Sequence, residues 1–231
     1  METRCFVDVA GPFLAEVARK VGLQLPVATV LHRLVVMPDP HGVVPRAAPY
    51  TILTEPQDLP WSDQERAWLR EDGLERLAKP LPGAVHLRPD GPLDSDWIRL
   101  GWPYHREAEP PRGEPDFPPE FADVVVRGAY RLCPGMARYV EAMPARVSVF
   151  GGYYCKTPEN LPLVGPTDVA GFSLMGALSG YGMMAACTAA ASLAAWIGGD
   201  PIPGSEYFSM ARYEDADAPS TPERPAVAGE L

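Results

Sequence analysis

Between residues 5 and 21 the spacing of apolar positions changes once. Cys5, Phe6, Val7 and Val9 form a short run closed by Gly11-Pro12. Leu14, Val17, Ala18 and Val21 then recur at helical spacing, and Gly22 is placed as a stop. The pattern predicts a strand, a glycine turn and a helix. Residues 29–38 and 50–54 read as sheet strands, as do residues 84–88 and 97–102 on either side of the turn Pro89-Asp90-Gly91-Pro92. Ser62-Asp63-Gln64-Glu65 is a capping box, and the helix it opens carries Trp68 and Leu69 and fades before Lys79-Pro80. Residues 103–119 are proline-rich and charged, hence a loop or crossover. Phe121, Val124, Val125, Gly128 and Leu132 fit a helix face, although Val124-Val125-Val126 also fits a strand. Residues 147–150 read as a strand that Gly151-Gly152-Tyr153-Tyr154 carries into a loop ending at Gly165-Pro166; residues 172–176 read as another strand. After Tyr213 the tail EDADAPSTPERPAVAGEL is too polar and proline-rich to pack, and disorder is expected there.

One stretch stands apart. Residues 176–199, GALSGYGMMAACTAAASLAAWIGG, join a glycine-rich loop to an apolar helix made mostly of small residues. A membrane span, a tightly packed core helix and a helix aimed at a cofactor share this appearance. The apolar part, residues 183–197, is about 15 residues and mostly alanine, whereas a span needs roughly 20 strongly apolar ones. A close-packed helix explains the alanines but not Ser179-Gly180-Tyr181-Gly182. Those glycines bare the first amides of the helix at the positive end of its dipole, a place suited to negative charge.

Composition narrows the classes of partner. The 231 residues carry 20 Lys+Arg against 30 Asp+Glu, a net charge of -10, which argues against nucleic acid or an anionic membrane as main partner. Cys5, Cys133, Cys155 and Cys187 form no CxxC pair and read as free thiols, and His32, His41, His86 and His105 are dispersed, so no metal site is expected. The opening METRCFVDVAG has Asp8 inside its apolar run and does not read as a secretory signal, which leaves the cytoplasm as the expected location.

Residues 151–166, GGYYCKTPENLPLVGP, resemble the D-amino acid oxidase superfamily of FAD-dependent oxidoreductases, which includes sarcosine and glycine oxidases and dimethylglycine dehydrogenases. Thr157-Pro158-Glu159 and Leu161-Pro162-Leu163-Val164-Gly165-Pro166 match that family in order and spacing. Ala177-Leu178-Ser179-Gly180-Tyr181-Gly182 resembles its Gly-x-Ser-Gly-x-Gly loop, and Phe208 with Arg212-Tyr213 resembles its closing Phe…Arg-Phe. Val7-Asp8-Val9-Ala10-Gly11-Pro12-Phe13 is similar to its V-N-A-A-G-x-W segment. No strand–GxGxxG–helix occurs in the chain. The resemblance therefore implies the C-terminal portion of a longer flavoenzyme, which alone would bind FAD poorly. A start set too late, or a separate N-terminal FAD-binding polypeptide, would account for this. The implied fold is α+β, an α/β remnant: a mixed antiparallel substrate-domain sheet plus the C-terminal strand–loop–helix of a FAD-binding domain. The expected division is 1–26 (remnant of the FAD domain), 27–146 (substrate domain), 147–213 (flavin-facing part) and 214–231 (tail).

The resemblance also implies roles. Ser179, Gly180, Tyr181, Gly182 and Met183 would meet the flavin pyrimidine edge, Gly151, Gly152 and Tyr153 would lie along the ring, and Gly11 would face the ADP portion. The bland alternatives are a tight turn, a sheet bulge and a helix-entry turn. Sarcosine oxidases have a flavin-linked cysteine where Gly152 stands, so FAD would be held non-covalently. They have a lysine where Met184 stands, which removes a grip on substrate carboxylate and an aid to oxygen activation. For a small-molecule amine or amino-acid substrate the candidate catalytic residues are Tyr154, His86 and Arg88; the last two alternate with Leu87 on one strand face, which an exposed outer face would explain equally. The implied activity is oxidation of a C–N bond by hydride transfer to flavin. The alternative is a cofactor-free remnant or subunit that serves as a binding partner.

Overall fold

The computed structural model describes residues 3–213; the tail expected to be disordered lies outside them. Two sheets organise the chain. The smaller has the order β1-β8-β7, from β1 (Phe6–Asp8), β7 (Leu163–Pro166) and β8 (Phe172–Gly176). β1 runs parallel to β8, and β7 runs antiparallel to it. The larger sheet has the order β3-β4-β5-β2-β6, from β2 (Ala28–Pro38), β3 (Thr51–Leu53), β4 (Val85–Pro89), β5 (Trp97–Gly101) and β6 (Ser148–Lys156), and is antiparallel. Mixed α+β architecture is thus the observed fold class.

The described chain forms two compact units. The first comprises Met1–Leu31, Glu107–Gly113 and Tyr153–Leu231, and the second His32–Arg106 and Glu114–Gly152. In the first, α1 (Leu14–Arg19) follows β1 through a 3-10 turn, and α5 (Gly182–Gly198) follows β8 in the same way. Leu14, Leu163, Phe172, Leu174 and Ala177 form its main core, and α5 packs Ala189 and Leu193 onto Val164. In the second, α2 (Asp63–Glu71), α3 (Phe121–Ala129) and α4 (Ala137–Glu141) accompany the sheet, with Trp102, Phe121, Ile98, Leu100 and Tyr139 fully buried.

The capping box forms as the sequence predicts: the Glu65 amide donates to Ser62 Oγ at 3.3 Å, and the Ser62 amide donates to Glu65 Oε2 at 2.7 Å. The open choice at residues 121–129 resolves as helix. Helical spacing brings Gly128 against Trp102, where a β-carbon would lie 2.4 Å from the indole ring. Two expectations need correcting. β6 does not end near Phe150 but continues through both glycines to Lys156, and β7 occupies part of the expected loop. β7 is an edge strand, where Pro166 costs no needed ladder bond.

Candidate functional site

In the first unit the parallel neighbours β1 and β8 end side by side, and each leads into a helix through a short turn. The carboxyl end of such strands is where open α/β sheets hold ligands. After β8 the backbone takes two left-handed steps, at Ala177 (φ 53°) and Ser179 (φ 49°), before the 3-10 turn Ser179–Tyr181. Neither step falls on a glycine of the loop. Gly182 itself has helical φ -54°, and a β-carbon there would meet only the Leu178 side chain, at 3.4 Å. Its torsion therefore does not call for glycine.

The helix mouth is open. Among the described residues no side chain caps it, no acidic residue stands in its first turn, and Met183 and Met184 are 96% and 77% exposed. The first-turn amides therefore keep their donor capacity. Ser179 Oγ is buried, with no hydrogen-bond partner among the described residues. Tyr181 turns aside: its hydroxyl donates to the Asn160 carbonyl at 2.8 Å.

Asp8, which ends β1, escaped the sequence reading as a site residue. It is 1% exposed; Oδ1 accepts from the Ala10 amide at 3.0 Å, and Oδ2 is buried without a partner among the described residues. Burial raises its pKa above the ordinary carboxylate value, against the opposing effect of the Ala10 bond. Gly11 follows at φ 58°, exposed and with open space where a β-carbon would stand.

The Thr-Pro-Glu turn proves to be a fastening. Thr157 Oγ1 donates to the Leu161 carbonyl at 2.6 Å and accepts from the Leu161 amide at 3.0 Å. Glu159 accepts from Arg212 Nε at 2.8 Å and from the Tyr213 hydroxyl, while Arg212 also donates to the Pro162 carbonyl at 2.8 Å. Burial pushes the Glu159 carboxyl up, but Tyr213 and Arg212 outweigh it and hold its pKa low. The two motifs that carry the resemblance at residues 157–166 and 212–213 are thus one ion-paired clamp.

Along β6, Cys155 is buried in the core of the first unit, where burial pushes its thiol up to about 11. Tyr153 is half-buried, its hydroxyl without a partner among the described residues, and burial raises the Tyr154 phenol. Gly151 and Gly152 belong to the second unit. Gly152 is exposed, outside the left-handed region, and has nothing within 4 Å of a β-carbon position, so neither torsion nor packing within the chain demands glycine there. Also in the second unit, His86 and Arg88 alternate with buried Leu87 on β4. His86 Nδ1 lies 3.0 Å from the Ala84 carbonyl, Gly101 makes room for the ring, and burial holds its pKa below the ordinary imidazole value. Arg88 leans on Asp90 at 3.4 Å, an acid it shares with Arg99.

Among solved structures, L-proline dehydrogenase from P. horikoshii aligns with a TM-score of 0.59 at 15% identity, over 93% of this chain and 48% of its own. Glycine oxidase from Geobacillus kaustophilus aligns with 0.57 at 14%, over 90% and 45%. Iminodiacetate oxidase from Chelativorans sp. BNC1 gives 0.57 at 17%, over 90% and 46%. The chain shares a fold with these solved structures. The chain spans about half the length of the solved structures it matches. No family model and no curated protein matches the sequence. At these identities the likeness is one of fold.

Proposed function

We propose that the chain supplies the substrate-facing unit and the flavin-facing end of a FAD-dependent oxidoreductase that oxidises a C–N bond of an amine or N-substituted amino acid. The dinucleotide-binding portion would come from sequence outside these residues, in the same or a separate polypeptide. One conjunction carries the reading: an oxidoreductase-like fold in which an uncapped, exposed helix mouth follows one of two parallel strands.

The residues fit the cofactor. The amides of residues 179–183 would hold its pyrimidine edge, Gly151, Gly152 and Tyr153 would border the ring without covalent attachment, and Gly11 would face its ADP portion. When bound, flavin supplies the acceptor for substrate hydride. The chain's own part is to orient and to stabilise charge: the helix end favours negative charge developing before it. Tyr154, His86 and Arg88 remain the candidates for meeting substrate, and a neutral His86 suits an uncharged amine. Met184 is uncharged, so no carboxylate grip is assigned to that position.

Ser179–Gly198, 20 residues holding an 18-residue window of mean hydropathy 1.3, reaches the length and apolarity of a membrane span. We read it instead as a helix covered by polypeptide, because one flank packs on β7 and carries Ser192 and Thr188. A location in the cytoplasm goes with that reading.

The test is to express the chain together with the flanking or neighbouring coding sequence that encodes a GxGxxG unit. A yellow protein whose flavin bleaches anaerobically with an amine is expected. A colourless, soluble assembly would instead assign the chain to a cofactor-free binding role.

A further inference from the structure

A groove of about 350 Å³ lies in the first unit between the chain leading into β1, the end of α1 and the turn before β8. Its size falls within the roughly 300–1,000 Å³ of small-molecule sites. Phe6 and Phe172 open β1 and β8, so the groove stands at the amino ends of these parallel strands, away from the helix mouth that follows β8. The two rings stack, with centroids 5.3 Å apart and planes 14° from parallel, and Phe6 stays 47% exposed. Val17 and Val21 add apolar wall. The charged lining residues are Arg4 and Lys20, both exposed; no acid lines the groove, and neither cation is ion-paired with a described residue. In a chain of net charge -10 this place is locally positive.

The backbone fixes the arrangement. The Phe6 amide donates to the Gly171 carbonyl at 2.8 Å, and Gly171 (φ 75°) lets the chain at Arg4 come close, since a β-carbon would lie 2.6 Å from the Arg4 carbonyl oxygen. The carbonyls of Val17, Ala18 and Arg19 already accept from the amides of Lys20, Val21 and Gly22, so the end of α1 sets few bare acceptors against an anion. Ring surface and positive charge in one groove select an aromatic anion: a cation is repelled, and a neutral ring gains nothing from Arg4 and Lys20.

We propose that this groove binds a planar aromatic molecule carrying a carboxylate, whose ring packs on Phe6 and whose carboxylate meets Arg4 and Lys20. None of these residues has a part in the flavin reading, so either proposal stands without the other.

The experiment titrates the full 231-residue chain calorimetrically with 2-naphthoate, 2-naphthol and 2-naphthylmethylammonium. 2-Naphthoate is expected to saturate one site and to weaken as salt rises, with 2-naphthol binding less tightly and the ammonium probe least. Arg4→Gln and Lys20→Gln should each weaken 2-naphthoate about twofold to fivefold and leave 2-naphthol unchanged, while Phe6→Leu should weaken both. Arg19 stands next to Lys20 but outside the groove, its Nε donating to the Ala15 carbonyl at 3.0 Å, so Arg19→Gln should change nothing. Val21→Trp should exclude 2-naphthoate; if that variant does not fold, Ala170→Trp at the opposite rim tests the same point. Absence of saturable 2-naphthoate binding, an equal loss from Arg19→Gln and Lys20→Gln, or binding that survives the filled groove would each overturn the proposal.

Discussion

Asp8 holds a carboxylate in the interior with half of its acceptor capacity unused by the described residues. Its raised pKa fixes the sign of a pH effect. The folded chain keeps a proton that the unfolded chain releases, so stability is greatest below the ordinary carboxylate pKa and falls as pH rises through the folded value. Asp8→Asn should therefore raise the melting temperature near neutral pH and flatten its fall above about pH 4. Melting curves across pH check this, and an unchanged slope would mean that the carboxylate is not desolvated. Gly182→Val is the complementary test of the cofactor site. Only the flexible Leu178 side chain lies near the new group, so the fold should survive within about 1 kcal/mol, while flavin retention in the completed protein should be lost. The helix start at Gly182 was legible, because a glycine-rich loop ahead of an apolar run of small residues punctuates the chain locally. Asp8 was not: an acid in a three-residue strand gives no sign of which way it faces. Ala177, in place of the superfamily's glycine, is left-handed, which costs an L-residue roughly 1–2 kcal/mol, partly offset by burying its methyl in the core.

Among the elements, the clamp on the Thr-Pro-Glu turn is the most exacting. Arg212 and Glu159 are both nearly buried and 2.7 Å apart. Removing one partner leaves the other charge stranded, so Arg212→Ala should destabilise by about 3 kcal/mol, measurable by denaturant unfolding. Because the Glu159 pKa is held low, the stabilisation it reports is present above the ordinary carboxylate range and lost as pH falls through the folded value. The mutant should lose that acid-side dependence. Sequence patterning gave α5 and the capped α2 cleanly, since glycine, alanine and a Ser-x-x-Glu box act locally. It missed β7 because the prolines around it read as loop, and only pairing with β8 makes an edge strand of residues 163–166. The joining of Glu159 to Arg212 was likewise invisible, since it spans 53 positions and depends on tertiary closure.

For the whole molecule, the resemblance read from short motifs agrees with a fold match over 90–93% of the chain. What the linear pattern carries no signal for is the interleaving of the two units, which arises because β2 and β6 each pass from one unit into the other. One feature of the first unit bears on the assembled protein. Beyond the methionine pair at its mouth, α5 turns Cys187, Ala190, Ala191, Ala194 and Ile197 outward. Thioether sulfur is a prime target for peroxide, and its oxidation leaves a permanent mass tag. Brief peroxide exposure should mark Met183 and Met184 first in the isolated chain and spare them once the dinucleotide-binding portion and flavin are added. Equal marking before and after would mean that nothing comes to rest against that end of the helix.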